Sequence, residues 1–209
     1  MRLLFISNTR GNKNPKIKSI LGRWLGEEAK IGYVPSSSDP TRKYFAEVEE
    51  WFQGILKNAR LFYLGIHDRK IGYEELLEFD CLYLSGGNTY SLISGLGKSG
   101  AGEALKKIAE SSEKPIIGVS AGGIVLTPDI RSAEAENDLG VTDFRGLALV
   151  DFGFYPHFKE RSKEDLKCVK AFLDRVEGVE EVYALLDHSG LVWQDGVATP
   201  LGPVFLVTR

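Results

Sequence analysis

Short apolar runs alternate with longer segments of helical period along the first 126 residues, and few architectures accommodate that rhythm. Runs at 3–7, 31–35, 60–64 and 81–84 read as strands, as does Pro115-Ile116-Ile117, which leads into Gly118. Between them, 17–30 places Ile17, Ile20, Leu21, Trp24 and Leu25 at helical spacing. The segment 41–58 does the same with Tyr44, Phe45, Val48, Trp51, Phe52, Ile55 and Leu56, behind a Ser38-Asp39-Pro40 cap that puts proline at an early helical position. Shorter helices are expected at 73–78, from Thr89 onward and at 103–110. Parallel strands need long crossovers, and helices supply them while covering both faces of the sheet. The expectation is an α/β chain: one three-layer domain over 1–209, mostly parallel, with helices on both faces.

The rhythm changes after Arg131. The polar, acidic stretch 132–142 reads as a surface loop. A strand is expected at 147–152, a helix at 163–176 and a strand at 182–186. The end, 190–208, reads as two short strands joined at Asp195-Gly196, a C-terminal hairpin. We find no internal repeat and no linker.

Composition narrows the function classes. A formal charge of −3 leaves no electrostatic footprint for nucleic acid or an anionic membrane. No stretch reaches the length of a membrane span, and the first apolar run is too short for a signal peptide. Cys81 and Cys168 lie far apart with no metal-ligand spacing and read as core thiols. A reducing cytoplasm is the expected location.

Chemistry enters at Gly118-Val119-Ser120-Ala121-Gly122-Gly123. An apolar run ending in Gly-x-Ser-x-Gly and continuing as a helix has the layout of a nucleophile elbow, which presents a serine hydroxyl at a strained turn. A plain glycine-rich strand-to-helix turn is the alternative. A serine hydroxyl needs a base at neutral pH, and the chain has three histidines. His157, in Tyr155-Pro156-His157-Phe158, follows an expected strand and so falls on the same sheet edge as Ser120. His188 is its rival. His67, in a charged loop, reads as a solvated surface residue. Asp187, at the end of an expected strand, is the first candidate for the acid that orients the base, with Glu134, Glu136 and Asp138 as alternatives in the acidic loop. An oxyanion hole needs two N–H donors. Ala121 follows the nucleophile, and Gly86-Gly87-Asn88-Thr89 can supply the second, although such a turn can equally cradle a phosphate or be an ordinary loop.

Taken together, Leu84-Ser85-Gly86-Gly87-Asn88-Thr89, Gly118-Val119-Ser120-Ala121-Gly122-Gly123, Thr127-Pro128-Asp129-Ile130-Arg131 and Tyr155-Pro156-His157-Phe158 resemble, in order and spacing, the motifs of the peptidase E family. These are aspartyl dipeptidases, with cyanophycinase as a more distant relative. The resemblance runs from the first strand to Leu201-Gly202-Pro203. It implies a fold related to class I glutamine amidotransferases, with serine in place of cysteine at the elbow. It further implies Ser120 as nucleophile, His157 as base and Gly87 and Ala121 as oxyanion donors, with Asn88, Arg131, Glu134 and Glu136 near the substrate. The family's triad glutamate falls at Asp187, one methylene shorter. The aspartate associated with recognising an N-terminal aspartyl residue is replaced by Ala135.

The expected function is hydrolysis of small peptides, dipeptidase-like and extending to N-terminal aspartyl substrates, through a Ser-His-Asp triad and an acyl-enzyme. No metal or organic cofactor is required. The partner is a small peptide, and the chain is expected to be a monomer or homodimer. An esterase or amidase acting on small non-peptide substrates, or an inactive binding protein on a peptidase scaffold, would carry many of the same motifs.

Overall fold

Along the first strand, Leu3 and Phe5 face one side while Leu4 and Ile6 face the other, and all four are fully buried. A strand with no polar face sits inside a sheet covered on both sides. The structure, a computed structural model, describes residues 1–133, 135–160 and 162–209. In chain order the elements are β1 (Arg2–Ile6), α1 (Pro15–Trp24), β2 (Lys30–Val34), α2 (Lys43–Gln53), β3 (Arg60–Tyr63), α3 (Tyr73–Leu77), β4 (Cys81–Leu84), α4 (Thr89–Ser99), α5 (Ala101–Ser111), β5 (Pro115–Val119), α6 (Ala121–Ile124), β6 (Gly153–Tyr155), α7 (Lys163–Arg175), β7 (Glu181–Leu185), β8 (Gly190–Gln194), β9 (Val197–Leu201) and β10 (Val204–Thr208).

Seven strands form the main sheet in the order β3-β2-β4-β5-β1-β8-β9. The first five are parallel, and β8 and β9 add antiparallel at one edge. On one face, Leu4, Ile6, Ile31 and Ile117 pack with Ile17 and Leu21 of α1 and Val48 and Phe52 of α2. On the other, Leu3, Phe5, Leu82 and Ile116 pack with Leu92 and Leu96 of α4 and Leu105 and Ile108 of α5. The mostly parallel sheet with helices on both faces is therefore as expected. The β8–β9 hairpin turns at Asp195 and Gly196, both at positive φ (53° and 82°), as a two-residue primed turn requires.

The second half of the chain departs from expectation. Residues 147–152 are not a strand. Their backbone hydrogen-bonds to the segment that leaves α6: Leu147 N–H to the Val125 carbonyl, Ala148 to Thr127 and Leu149 to Leu126. Ala148 sits at φ 52°, which no ladder accommodates. The apolar run is real, since Leu147, Val150 and Phe152 are core residues, but the strand begins only at Gly153. That strand joins a second, three-stranded sheet in the order β10-β7-β6, with β6 and β7 parallel. The chain's end thus makes three strands rather than two. The tilted rings of Phe5, Phe152 and Phe154, with centroids 5.3–5.5 Å from Phe5, pack the small sheet against the large one.

Two helices are shorter than their apolar stripes. α1 ends before Gly26, with Leu25 already extended. α2 starts at Lys43, after Arg42 in the left-handed region, so Pro40 lies outside the helix. Asp39 still caps it: its carboxylate accepts from the backbone N–H groups of Lys43, Tyr44 and Phe45. Cys81 is buried, but Cys168 is exposed and is no core thiol. No helix among the described residues is long and apolar enough to cross a membrane.

Candidate active site

The carboxyl ends of β2, β4, β5 and β1 lie side by side and deliver Ser36, Gly86-Gly87, Ser120 and Ser7 in that order. Ser120 follows the fully buried β5. Its N–H donates to the Ile6 carbonyl, carrying the β1 ladder one residue past the strand. There the chain turns sharply, with Ser120 at φ 48° and ψ −110°. Such a conformation costs on the order of 1–3 kcal/mol and persists only where its surroundings enforce it. The enforcement is close packing: a Cβ on Gly122 would lie 2.1 Å from the Leu84 carbonyl oxygen, and one on Gly118 would lie 2.6 Å from that of Gly122.

The remaining groups come from the other sheet. His157 follows β6 and sits at φ 58°, while Asp187 follows β7. Ser120 Oγ lies 3.0 Å from His157 Nε2, and His157 Nδ1 lies 2.7 Å from Asp187 Oδ1. An aspartate therefore spans the distance despite the missing methylene. The expectation that base and nucleophile share one sheet edge is corrected: the two carboxyl edges belong to different sheets and meet at the site. Neither other histidine makes this contact. His188 is exposed at φ 67°, its carbonyl held by Asn14 Nδ2. His67 is half-buried rather than solvated, with Nε2 3.3 Å from the Pro35 carbonyl and its ring against Gly95 of α4.

Ser7, which the sequence reading passed over, is fully buried at the junction of the two sheets. Its hydroxyl accepts the His157 backbone N–H at 2.7 Å and lies 3.3 Å from the Leu185 carbonyl and 3.5 Å from Asp187 Oδ1. One small side chain thus ties His157 and Asp187 to the end of β1. A serine closing an apolar strand carries no signal in sequence.

The backbone N–H groups of Gly87 and Ala121 hydrogen-bond to nothing among the described residues. Gly87 holds φ 130°, a conformation open to glycine. Around them opens a cleft of about 1040 Å³, walled by the loop after β1 and by α2, and reaching Gly87, Ser120 and His157. Its floor includes Tyr33 and Tyr83, stacked at 5.7 Å; burial pushes the Tyr33 hydroxyl up to about 12 and raises that of Tyr83 as well.

Asn88, Arg131 and Glu136 are not among the residues lining this cleft. Asn88 caps α4 through Ser91 N–H, and its Nδ2 holds the Glu136 carbonyl. Arg131 clasps Asp129, with guanidinium–carboxylate distances of 2.7–3.1 Å, and lies over the Phe144 ring. The Glu136 side chain is exposed, and Glu134 lies outside the described residues. Ala135 is half-buried and packs against the main core. No cluster of three or more His, Cys, Asp or Glu side chains among the described residues is arranged to hold a metal ion.

The model of Peptidase family S51 matches residues 3–201. The chain belongs to peptidase family S51. Over 165 residues it is 30% identical to a peptidase E of Streptomyces coelicolor, an alignment covering 76% of this chain and 64% of that protein. Over 129 residues it is 30% identical to a candidate alpha-aspartyl dipeptidase of Drosophila melanogaster, covering 60% of this chain and 51% of the relative. The chain thus spans about two thirds or less of these two relatives. A crystal structure of a candidate peptidase E from Listeria monocytogenes superposes with a TM-score of 0.71 at 20% identity, covering 100% of this chain and 98% of that one. It shares the fold of this S51 member.

Proposed function

We propose that this chain is a serine peptidase that hydrolyses small peptides, dipeptidase-like in its reach, with Ser120, His157 and Asp187 as its triad. The observation that carries this reading is the unbroken relay from Ser120 Oγ through His157 to Asp187 Oδ1, at 3.0 and 2.7 Å. Ser120 attacks the carbonyl carbon while its proton passes to His157 Nε2. The C–N bond then breaks, and the same proton leaves on the amine. Water attacks the resulting ester, giving its proton to His157, and Ser120 recovers that proton as the acid departs. Asp187 fixes the imidazole tautomer and stabilises the imidazolium. The Gly87 and Ala121 N–H groups hold the oxyanion, an interaction whose loss costs about 100- to 1,000-fold in rate.

Aspartyl substrates fall within the proposal because of the Drosophila relative's name. This chain would recognise them with the cleft's own cations, Arg10 and Lys43 among them, rather than through position 135 or Arg131. The test is hydrolysis of aminoacyl p-nitroanilides of Asp, Glu, Leu, Ala and Lys by the native chain and by Ser120→Ala. Release of p-nitroaniline that disappears in the variant is expected. Equal release by both proteins would overturn the reading.

A further inference from the structure

The oxyanion loop is gripped from behind by a residue the sequence does not single out. Ser36, in the connection after β2, is 5% exposed. Its hydroxyl donates to the Gly86 carbonyl at 2.7 Å, and its own N–H donates to Ser85 Oγ at 2.8 Å. A Cβ at Gly87 would lie 2.2 Å from Ser36 Oγ, so Ser36 packs directly against the bare Cα of the glycine proposed to supply an oxyanion donor.

Peptide geometry turns this contact into a direction. No peptide bond among the described residues is cis, so the Gly86 carbonyl and the Gly87 N–H belong to one planar trans unit and point opposite ways. Anchoring the carbonyl on Ser36 therefore aims the N–H away from Ser36. The turn at Ser120 adjoins the same glycine pair: a Cβ on Gly86 would stand 3.5 Å from Ser120 Cβ and 3.5 Å from the Val119 carbonyl. A hydrogen bond accepted by the carbonyl also polarises the shared peptide group and strengthens its N–H as a donor. With φ at 130°, and no side chain of its own to fix it, Gly87 has many alternative orientations to lose. Ser36 removes them.

We infer that Ser36 is a positioning residue for the oxyanion hole, orienting and polarising the Gly87 N–H through the Gly86 carbonyl; this rests on the reading of Ser120 as nucleophile. It touches no reacting atom. Its contribution falls on the step in which negative charge builds on oxygen, and it leaves the Ser120–His157 proton transfer alone.

The experiment measures the rate of Ser120 modification by a fluorophosphonate, whose phosphoryl oxygen occupies the oxyanion position, as a function of pH. Native chain, Ser36→Ala, Ser36→Thr and Ser120→Ala are compared, each with its melting temperature. Modification of the native chain but not of Ser120→Ala establishes the underlying reading, and failure there overturns that reading rather than this one. With it standing, Ser36→Ala is expected to label about tenfold more slowly, a part of the full donor's worth. Its pH profile should keep the native midpoint, and Ser36→Thr should recover most of the rate. A native rate in Ser36→Ala would overturn the inference. So would a shifted midpoint, which would place the effect on the base. Should Ser36→Ala melt below the assay temperature, Ser36→Thr decides: a folded threonine variant with a rate as low as an unanchored loop would give refutes the role of the hydroxyl.

Discussion

Asp187 carries its carboxylate on one methylene fewer than the glutamate of the family pattern, yet Oδ1 stands 2.7 Å from His157 Nδ1. Replacing it by asparagine keeps the size but removes the charge and disturbs the tautomer of the base. Asp187→Asn should therefore lower kcat by about 10³- to 10⁴-fold with a near-native melting temperature; an unchanged kcat would remove Asp187 from the mechanism. Ser7 is the second test at this scale. Ser7→Ala leaves the part-buried His157 N–H without its acceptor, which should cost about 0.5–1.5 kcal/mol in denaturant unfolding. It should also slow hydrolysis about 10- to 100-fold as the base loses its seat. Ser120, His157 and Asp187 were legible because each stands next to a glycine, a proline or the end of an apolar run. Ser7 and Ser36 were not, because a buried serine acquires its meaning only from the carbonyls and N–H groups the fold brings to it.

Among the elements, the elbow and the start of α2 show the two ways a turn is enforced here, one by exclusion and one by attraction. In Gly122→Ala, the added methyl meets a backbone oxygen rather than a yielding side chain. The variant is expected to lose several kcal/mol or to fail to fold, roughly the scale of severe overpacking. A melting temperature like that of the native chain would contradict this account of the motif. Asp39→Ala removes a carboxylate that serves three N–H groups and should destabilise by about 1–2 kcal/mol, a typical cap's worth. Asp39 also lines the cleft, so altered KM with little change in kcat is expected alongside. The elements of the first half were readable because their apolar spacing is local. The run at 147–152 misled for a physical reason: a stretch of buried apolar residues is required by the core whether its backbone pairs in a ladder or bonds to the segment leaving α6. Periodicity reports burial of side chains and is silent on where the carbonyls go.

At the level of the whole molecule, the site is a seam. The main sheet brings the proposed nucleophile and oxyanion donors, and the small sheet brings the proposed base and acid, with Ser7 and the Phe5, Phe152 and Phe154 rings joining them. Residue order alone distinguishes strands but does not assign them to sheets, so this division was invisible in sequence. Integrity of the assembled core has a simple readout in the thiols. Cys81 is fully buried, and burial raises its thiol further above the range in which it reacts, whereas Cys168 is exposed. A chromogenic disulfide reagent should therefore find one fast equivalent in the native chain and a second only in denaturant; two fast equivalents would mean the β4 core is open. The central claim is that the seam makes Ser120, alone among the serines, a nucleophile. Peptide mapping by mass spectrometry after brief exposure to a fluorophosphonate tests it most directly. One adduct on the peptide carrying Ser120, absent from the denatured chain and lost in His157→Ala, is the predicted result. An adduct on another serine, or none faster than in the unfolded chain, would contradict it.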